Sequence, residues 1–353
     1  MTLPTEPIGS IPRPKPLIDG MQAAAAGKLP ADRLEALFDD AVRDTIRRLE
    51  ETGSPIVTDG EQRKPSFATY PIHGAKNLAP GGVAIKFKDG HERQLPVLAS
   101  GPFRYTTYAA SYLDAAKKHA HKPLKEAVIS ASALSLLYPQ SGIPGYSREA
   151  FLDDLVNEAA KDIRQCLDRG APVQIDFTEG RLAVKLDPSK GLLNSFVDLN
   201  NRVLEKFSAA DRKRIGVHTC PGGDKDSTHS AEVDYAELLP ALFRMNVGNF
   251  YVQLASEKDR PRVLAILGKH GTGDRRIFVG VVDPIDPRIE SADEVRDRIL
   301  EAAKFIPPGN LGSTDDCGFS PFGDDTSTSR DTAFAKINAR VEGNEMASRK
   351  LGV

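Results

Sequence analysis

The feature that most constrains the fold is a repeated alternation of short apolar segments with amphipathic helical segments along the 353 residues. Continuous apolar runs are typical of parallel strands that are covered on both faces. The helical spacing is clearest in Ala31–Thr52, Ser147–Arg169 and Ala292–Phe305, where apolar residues recur every three or four positions. Eight segments are predicted strands: Pro55–Thr58, Leu95–Ser100, Glu126–Ser130, Pro172–Phe177, Arg214–Thr219, Asn249–Leu254, Arg276–Val282 and Asn310–Ser313.

Eight strands that alternate with helices predict an α/β protein, a single (β/α)₈ TIM barrel that takes up residues 1–353 as one domain. The competing architecture is an open, doubly wound sheet, which usually carries a glycine-rich phosphate turn after its first strand. No such turn follows Pro55–Thr58. Asn77–Arg93 is polar and rich in glycine, which predicts an inserted hairpin or loop, and Gly222–Val233 is predicted to be a second polar loop.

Composition narrows the class of protein. The 47 basic and 49 acidic residues give a net charge of -2, which argues against a nucleic-acid partner held by phosphate contacts. No apolar run reaches the roughly 18 residues of a membrane span, and residues 1–16 lack the apolar core of a signal peptide. Three cysteines in this length favour a reducing compartment, so we expect a cytoplasmic protein. The oligomeric state stays open, a homo-oligomer included.

Ionisable side chains cluster where the predicted strands end. In a (β/α)₈ barrel the active site lies at that face. The fifth strand ends at His218-Thr219-Cys220, and the eighth is followed by Asp315-Asp316-Cys317. Histidine and cysteine are ligands that Zn²⁺ prefers, and three protein ligands with one open position form a catalytic zinc site. Two buried thiols and an ordinary histidine are the alternative interpretation, but their shared position at strand ends favours a metal.

Two thiolates and a neutral imidazole around Zn²⁺ suggest a particular chemistry. Coordination lowers the pKa of a substrate thiol and makes it nucleophilic at neutral pH. We therefore expect alkyl transfer to a thiol rather than hydrolysis. The remaining strand ends supply carboxyl groups that could bind substrate or move protons: Glu61, Asp176, Glu179 and Asp283.

These segments resemble the C-terminal catalytic domain of cobalamin-independent methionine synthase along most of the chain. Ile8-Gly9-Ser10-Ile11-Pro12 is similar to the opening motif of that family, and Thr58-Asp59-Gly60-Glu61 to its Gly-Glu segment. Gln174-Ile175-Asp176 is similar to its Gln-x-Asp strand. His218-x-Cys220 and Asp316-Cys317-Gly318 are similar to its zinc motifs.

The resemblance implies a TIM barrel that transfers a methyl group from a methylated folate to homocysteine on zinc, in methionine biosynthesis. It implies that Glu61 and Asp176 bind the amino group of homocysteine. Ser10 and the backbone at Ile8 would cradle its carboxylate, and Tyr108 falls where the family places a tryptophan against the pterin. His218, Cys220 and Cys317 would be zinc ligands.

The chain departs from the family pattern at several positions. The family has a glutamate ligand after its sixth strand, where this chain has Val252-Gln253-Leu254-Ala255-Ser256-Glu257. We take Glu257 as the fourth ligand, with Gln253 or no further protein ligand as alternatives. The family's proton-transferring histidine falls at Ile285, and Asp283 alone matches there. We expect Asp283 and Glu179 to be the catalytic acids. The chain has no tryptophan, so the donor could be a methylated folate, another methyl compound or a corrinoid protein.

Other functions share parts of this pattern. A zinc-dependent alkyltransferase for another thiol, like the epoxyalkane:coenzyme M transferases, would use the same ligands but would have no need for the paired Glu61 and Asp176. A barrel related to uroporphyrinogen decarboxylase would need arginines such as Arg63, Arg104 and Arg181 at the strand ends. A structural zinc site would require four ligands close in sequence.

Overall fold

The computed structural model describes residues 2–271 and 273–353. Its strands are β1 (Leu78–Ala79), β2 (Ala84–Lys86), β3 (Glu92–Gln94), β4 (Val97–Leu98), β5 (Glu126–Ile129), β6 (Val173–Asp176), β7 (Ile215–Thr219), β8 (Gly223–Asp224), β9 (Ser227–Thr228), β10 (Asn249–Val252), β11 (Arg276–Val282) and β12 (Leu311–Asp315). Its helices are α1 (Lys15–Ala25), α2 (Ala31–Glu51), α3 (Ala110–Ala116), α4 (Ala131–Ser135), α5 (Arg148–Asp168), α6 (Glu179–Leu186), α7 (Gly191–Leu204), α8 (Ala209–Arg212), α9 (Tyr235–Leu242), α10 (Arg260–His270), α11 (Ala292–Ala302) and α12 (Arg330–Leu351).

The centre of the fold is a six-stranded parallel sheet in the order β12-β11-β10-β7-β6-β5. These six strands coincide with six of the predicted ones, and nearly all of their residues are buried, as expected for parallel strands that are covered on both faces. Helices pack outside the sheet. The longest, α12, makes its largest set of contacts with α11 and also covers β11 and β12.

Two extended segments close the sheet into a ring. The segment at Thr5 forms a parallel bridge with Ser313 of β12, and Val57 forms one with Leu124 just before β5. These two segments are joined to each other by hydrogen bonds from the hydroxyl of Thr58 to the carbonyl of Gly9 (2.9 Å) and from the amide of Ile11 to the carbonyl of Gly60 (3.0 Å). Six strands and two bridged segments therefore form the predicted (β/α)₈ barrel.

One predicted strand was wrong. Leu95–Ser100 contributes only β4, which pairs antiparallel with β1 outside the barrel, while the N-terminal segment takes up the eighth position. The prolines at positions 4 and 7 explain why the N-terminal segment was missed, since proline lacks the amide proton of a regular ladder. The insertion predicted near residues 77–93 is confirmed as a hairpin of β2 and β3.

Serine side chains cap the two helices α5 and α11. The side chains of Ser147 and Ser291 accept hydrogen bonds from the first turns of α5 and α11, and Ser291 forms a full capping box with Glu294. Cys166 is buried in α5, as its position in an apolar stripe predicts. Within residues 2–271 and 273–353, none of the helices combines the length and the apolar character needed to cross a bilayer.

Candidate metal centre and adjoining cavities

Three predicted metal ligands meet at the carboxyl ends of β7 and β12. His218 lies in β7, Cys220 follows it directly, and Cys317 follows β12. One potential ligand atom from each residue lies within 4.8 Å of the others, and all three residues are buried. The two Sγ atoms are 3.1 Å apart. One imidazole and two thiols at this spacing match the ligand types and the reach of a zinc site.

The imidazole of His218 is held from both sides. Its Nδ1 lies 3.3 Å from Oδ1 of Asp176, and its Nε2 lies 3.3 Å from the carbonyl oxygen of Asp316. Burial lowers the pKa of His218, but Asp176, the charge of Cys317 and the carbonyl of Asp316 together outweigh burial, so the net effect is to raise it. A carboxylate at one ring nitrogen fixes the orientation of a metal-binding imidazole.

An inner cavity of about 290 Å³ opens beside this group. Apolar side chains, among them Phe67, Ile129 and Leu182, form much of its wall. Residues that the sequence assigns to substrate, metal or catalysis also line it: Ile8, Ser10, Glu61, Asp176, Glu179, His218 and Cys317.

The carboxyl of Glu61 is buried next to a buried cation. Its Oε1 lies 3.2 Å from Nζ of Lys64. Burial raises the pKa of Glu61 to about 7 even though Lys64 opposes the shift. Glu61 has a positive φ of 56°, a conformation uncommon for residues other than glycine, and its amide donates to Oδ1 of Asp59 (2.7 Å). This turn directs the carboxyl of Glu61 towards the cavity.

Glu179, at the first position of α6, is the third carboxyl on the cavity wall. Its Oε1 accepts hydrogen bonds from the hydroxyls of Ser130 (2.6 Å) and Ser132, and its Oε2 has no partner among the described residues. Burial raises the pKa of Glu179 to about 7. Because this value is close to neutrality, Glu179 can both take up and release a proton under ordinary conditions.

The N-terminal segment brings Ile8 and Ser10 to the cavity. Oγ of Ser10 accepts a hydrogen bond from the amide of Ser320 (3.2 Å). A Cβ at Gly318 would lie 2.0 Å from Oγ of Ser10, so only glycine allows this approach. Ser10 therefore lies next to the cysteine-bearing loop after β12.

The inserted hairpin forms the roof of the inner cavity. Phe87 and Arg93 line the cavity, and the amide of Lys88 donates to the carbonyl of Thr228 in β9 (2.9 Å). Arg93 donates to Asp224 from Nε (2.5 Å) and to Asp324 from Nη1 (3.0 Å). The hairpin is thus fastened by charge to two loops at the carboxyl ends of the barrel strands.

An outer cavity of about 540 Å³ lies on the other side of Cys317, and both cavities share Gly223 and Cys317. Asp283 and Asp316 line this outer cavity. Burial raises the pKa of Asp316 to about 7, with a further contribution from the charge of Asp283, and burial likewise raises the pKa of Asp283. The predicted acid Asp283 therefore reaches the outer cavity rather than the inner one.

The structure does not bring Glu257 into the group of metal ligands. Its carboxylate forms an ion pair with Arg181, whose side chain is almost fully buried and stacks over Tyr235. A buried guanidinium without a counter-ion would be costly, which explains why Glu257 is held there. Gln253, the alternative ligand, donates from Nε2 to the hydroxyl of Ser256 (2.5 Å).

Tyr108 is not among the residues that line either cavity. Its hydroxyl donates to Glu158 of α5, and the ammonium of Lys161 lies 4.4 Å from its ring centroid. The structure thus separates Tyr108 from the other predicted substrate contacts.

Sequence reasoning missed the cations that hold the site together. Lys64 and Lys125 are buried and Arg93 is half-buried, and their ion pairs with Glu61, Glu6 and Asp224 form only in the folded chain. A lysine one turn after Glu61 was the single available signal, since a residue three positions away can reach back to a carboxyl.

Comparisons with known proteins agree with this architecture. Residues 3–333 match the family described as cobalamin-independent synthase, catalytic domain. A methionine synthase of Saccharolobus solfataricus is 25% identical over 354 residues, which cover 99% of this chain and 96% of that protein. A methionine synthase of Sulfurisphaera tokodaii is 23% identical over 350 residues, with 99% and 94% covered.

Two solved structures share the fold. A B12-independent methionine synthase from Shewanella sp. W3-18-1, in complex with selenomethionine, superposes with a TM-score of 0.76 at 20% identity and 99% coverage of both chains. A putative vitamin-B12 independent methionine synthase from Listeria monocytogenes gives a TM-score of 0.71 at 21% identity and 98% coverage of both. With nearly its whole length matched, the chain belongs to the family of cobalamin-independent synthase catalytic domains.

Proposed function

We propose that this protein is a zinc-dependent methyltransferase that methylates the thiol of homocysteine to give methionine. The observation that carries the proposal is the position of the His218, Cys220 and Cys317 group, which opens onto a cavity lined by carboxyls and by Ser10. The family membership and the methionine synthases among its relatives support the same activity.

The residues fit zinc by type and by spacing. His218, Cys220 and Cys317 would hold the ion, and zinc bound there would lower the pKa of an acceptor thiol so that it is nucleophilic at neutral pH. Because Arg181 engages Glu257, we propose that the acceptor sulfur, rather than Glu257 or Gln253, takes the fourth position.

Acceptor recognition falls to the wall of the inner cavity. Glu61 and Asp176 would bind the ammonium group of homocysteine, and Ser10 with the backbone of Ile8 would bind its carboxylate. Holding both ends of the acceptor positions its sulfur for in-line attack on a methyl group. An acceptor thiol without an amino group, such as coenzyme M, would give Glu61 and Asp176 no ammonium group to bind.

Proton transfer would use two carboxyl groups whose pKa values are raised by burial. Glu179 faces the inner cavity and would accept the proton that the acceptor thiol loses. Asp283 lies on the outer cavity, where burial raises its pKa, and would supply a proton to a leaving nitrogen on the donor. A methylated folate is the first donor to test, because its leaving nitrogen needs such a proton.

The decarboxylase alternative is disfavoured by the partners of its arginines. Arg63 pairs with Glu35, Arg104 with Asp154, and Arg181 with Glu257. None of these three arginines lines the inner cavity, so they do not form a ring of positive charge that could bind a polyanionic substrate there.

The proposal is tested by incubating the zinc-loaded protein with homocysteine and a methyl-deuterated donor, and by measuring labelled methionine by mass spectrometry. Methyltetrahydrofolate with one or several glutamates is offered first, followed by methylcobalamin. Labelled methionine that disappears in the Cys317→Ser variant would support the proposal. Methylation of 4-mercaptobutanoate at the same efficiency as homocysteine would contradict amino-group recognition.

A further inference from the structure

We propose that Gln174, oriented by Lys125, is a positioning residue whose hydrogen bonds link the acceptor-binding groups to the metal-binding histidine. This inference rests on the proposed function, since it concerns how Asp176 serves the acceptor and His218 serves the metal. Gln174 lies in β6 with no exposed surface, and Lys125, immediately before β5, is almost as deeply buried.

The amide of Gln174 can lie in only one of its two orientations. Nζ of Lys125 is 2.9 Å from Oε1 of Gln174. An ammonium group has donors and no acceptor, so it must face the oxygen of the amide. The amide nitrogen then faces away from Lys125, where it donates to Oδ1 of Asp176 (2.8 Å) and to the carbonyl of Ile8 (3.0 Å). Both protons of the amide are used.

This arrangement divides the two oxygens of Asp176 between two tasks. Oδ1 receives the amide of Gln174 and also lies 3.3 Å from Nδ1 of His218. Oδ2 is left for the inner cavity, which Asp176 lines. A chain of contacts therefore runs from Lys125 through Gln174 and Asp176 to His218, and the same carboxylate that would bind the ammonium also orients the metal-binding ring.

The same amide fixes the other end of the acceptor site. Gln174 holds the carbonyl of Ile8, while the amide of Ile8 donates to Oδ2 of Asp315 (3.3 Å). Asp315 is itself held by Nε of Arg340 at 2.8 Å. The peptide at Ile8, which would help to bind the substrate carboxylate, is thus clamped on both sides.

Lys125 has further partners that keep it in place. Its ammonium lies 3.5 Å from Oε2 of Glu6 and 4.2 Å from the ring centroid of Tyr251, whose hydroxyl donates to the same Oε2 (2.6 Å). Because Lys125 is anchored independently of Gln174, replacing Gln174 should leave the lysine compensated and the barrel folded.

The test uses Gln174→Met, which removes the donors at similar volume, and Gln174→Glu, which keeps an acceptor for Lys125 but replaces both donors with negative charge. Zinc affinity is measured by competition with a chelator, and KM and kcat are measured for homocysteine. We expect both variants to bind zinc about 10-fold or more weakly, as for the loss of other groups behind a metal ligand. We also expect KM for homocysteine to rise by at least a similar factor, with a smaller change in kcat.

Gln62→Met is the matched control. Gln62 is equally buried and also donates from Nε2 to two backbone carbonyls, those of Ile11 (2.8 Å) and Gly60 (3.0 Å), without touching Asp176 or His218. It should lower thermal stability as much as Gln174→Met and leave zinc affinity unchanged.

Wild-type zinc affinity in both Gln174 variants would overturn the inference, as would an equal loss of zinc affinity in Gln62→Met. The zinc measurement needs no turnover. If the wild-type protein binds zinc but forms no methionine, the proposed function fails while the zinc measurement still decides the role of Gln174.

Discussion

Replacing Lys64 with methionine tests whether this buried cation stabilises the fold and keeps the carboxyl of Glu61 ionised. Nζ of Lys64 lies 2.9 Å from Oε1 of Glu126, 3.2 Å from Oε1 of Glu61 and 2.8 Å from the carbonyl of Ala127. All three charged side chains are at most 6% exposed. Lys64→Met keeps the volume of the side chain but leaves two buried carboxyls without a cation.

The expected cost follows from that geometry. Removing one partner of a buried ion pair destabilises a protein by about 3–5 kcal/mol, because the remaining charge stays buried without compensation. For a chain of this size such a loss corresponds to a drop of roughly 4–7 °C in the unfolding midpoint. The double variant Lys64→Met/Glu126→Gln removes one of the two uncompensated carboxyls and should recover part of that loss.

The same substitution has a functional readout. Burial raises the pKa of Glu61 to about 7, and Lys64 acts against that shift. Without Lys64 the pKa of Glu61 rises further, so the carboxyl is protonated over more of the neutral range and binds an ammonium group less well. As the pH is lowered from 9 to 6, KM for homocysteine should therefore begin to rise at a higher pH in the Lys64→Met variant than in the wild type.

An unchanged melting midpoint together with an unchanged KM profile would refute this reasoning. A lower midpoint with a wild-type KM profile would show that Lys64 stabilises the fold without acting on Glu61.

Three further predictions follow from the same site. In the wild type, homocysteine affinity should rise as the pH is raised through about 7, because Glu61 must lose its proton to bind the ammonium group. Isothermal titration calorimetry across this pH range measures the affinity, and an affinity that does not change with pH would contradict the prediction. Asp224→Asn removes the carboxylate that accepts a hydrogen bond from Nε of Arg93 (2.5 Å). Loss of such a charged hydrogen bond costs about 1.5–3 kcal/mol, so a protease should cleave the hairpin of β2 and β3 faster in the variant than in the wild type. Gly318→Ala places a Cβ 2.0 Å from Oγ of Ser10, which introduces a strain of about 1–3 kcal/mol. This strain should raise KM for homocysteine about 10-fold. An unchanged KM would count against Ser10 as a substrate contact.

The six-stranded parallel sheet was predictable from the sequence because strands that are buried on both faces are rich in apolar residues. Of the six parallel strands, β5, β10 and β11 are mostly apolar, whereas β6, β7 and β12 are fully buried but carry polar residues among the apolar ones. The segment around Thr5 carries prolines and forms isolated bridges, so nothing in its pattern distinguishes it from a loop. Leu95–Ser100 is apolar because Leu98 is buried in the core and Leu95 packs against it, which gives the segment the appearance of a barrel strand.

The candidate site divides in the same way. His218, Cys220 and Cys317 were predictable, since residues that follow parallel strands meet at one end of a barrel. The position of Glu257 was not, because its partner Arg181 lies 76 residues away and only the fold brings the two together. Tyr108 was assigned by family position alone, and its contact with Glu158 of α5 depends on how that helix packs. Ion pairs between residues that are far apart in the sequence cannot be predicted from local sequence patterns.

The most direct measurement is an optical titration of the Co²⁺-substituted protein with homocysteine, alongside the Cys220→Ser and Cys317→Ser variants. The wild type should bind one metal ion per chain, its thiolate-to-metal absorption should increase as homocysteine adds a third sulfur, and both variants should lose the metal. A protein that binds no metal, or a spectrum that homocysteine leaves unchanged, would contradict the account of a thiol-activating metal centre.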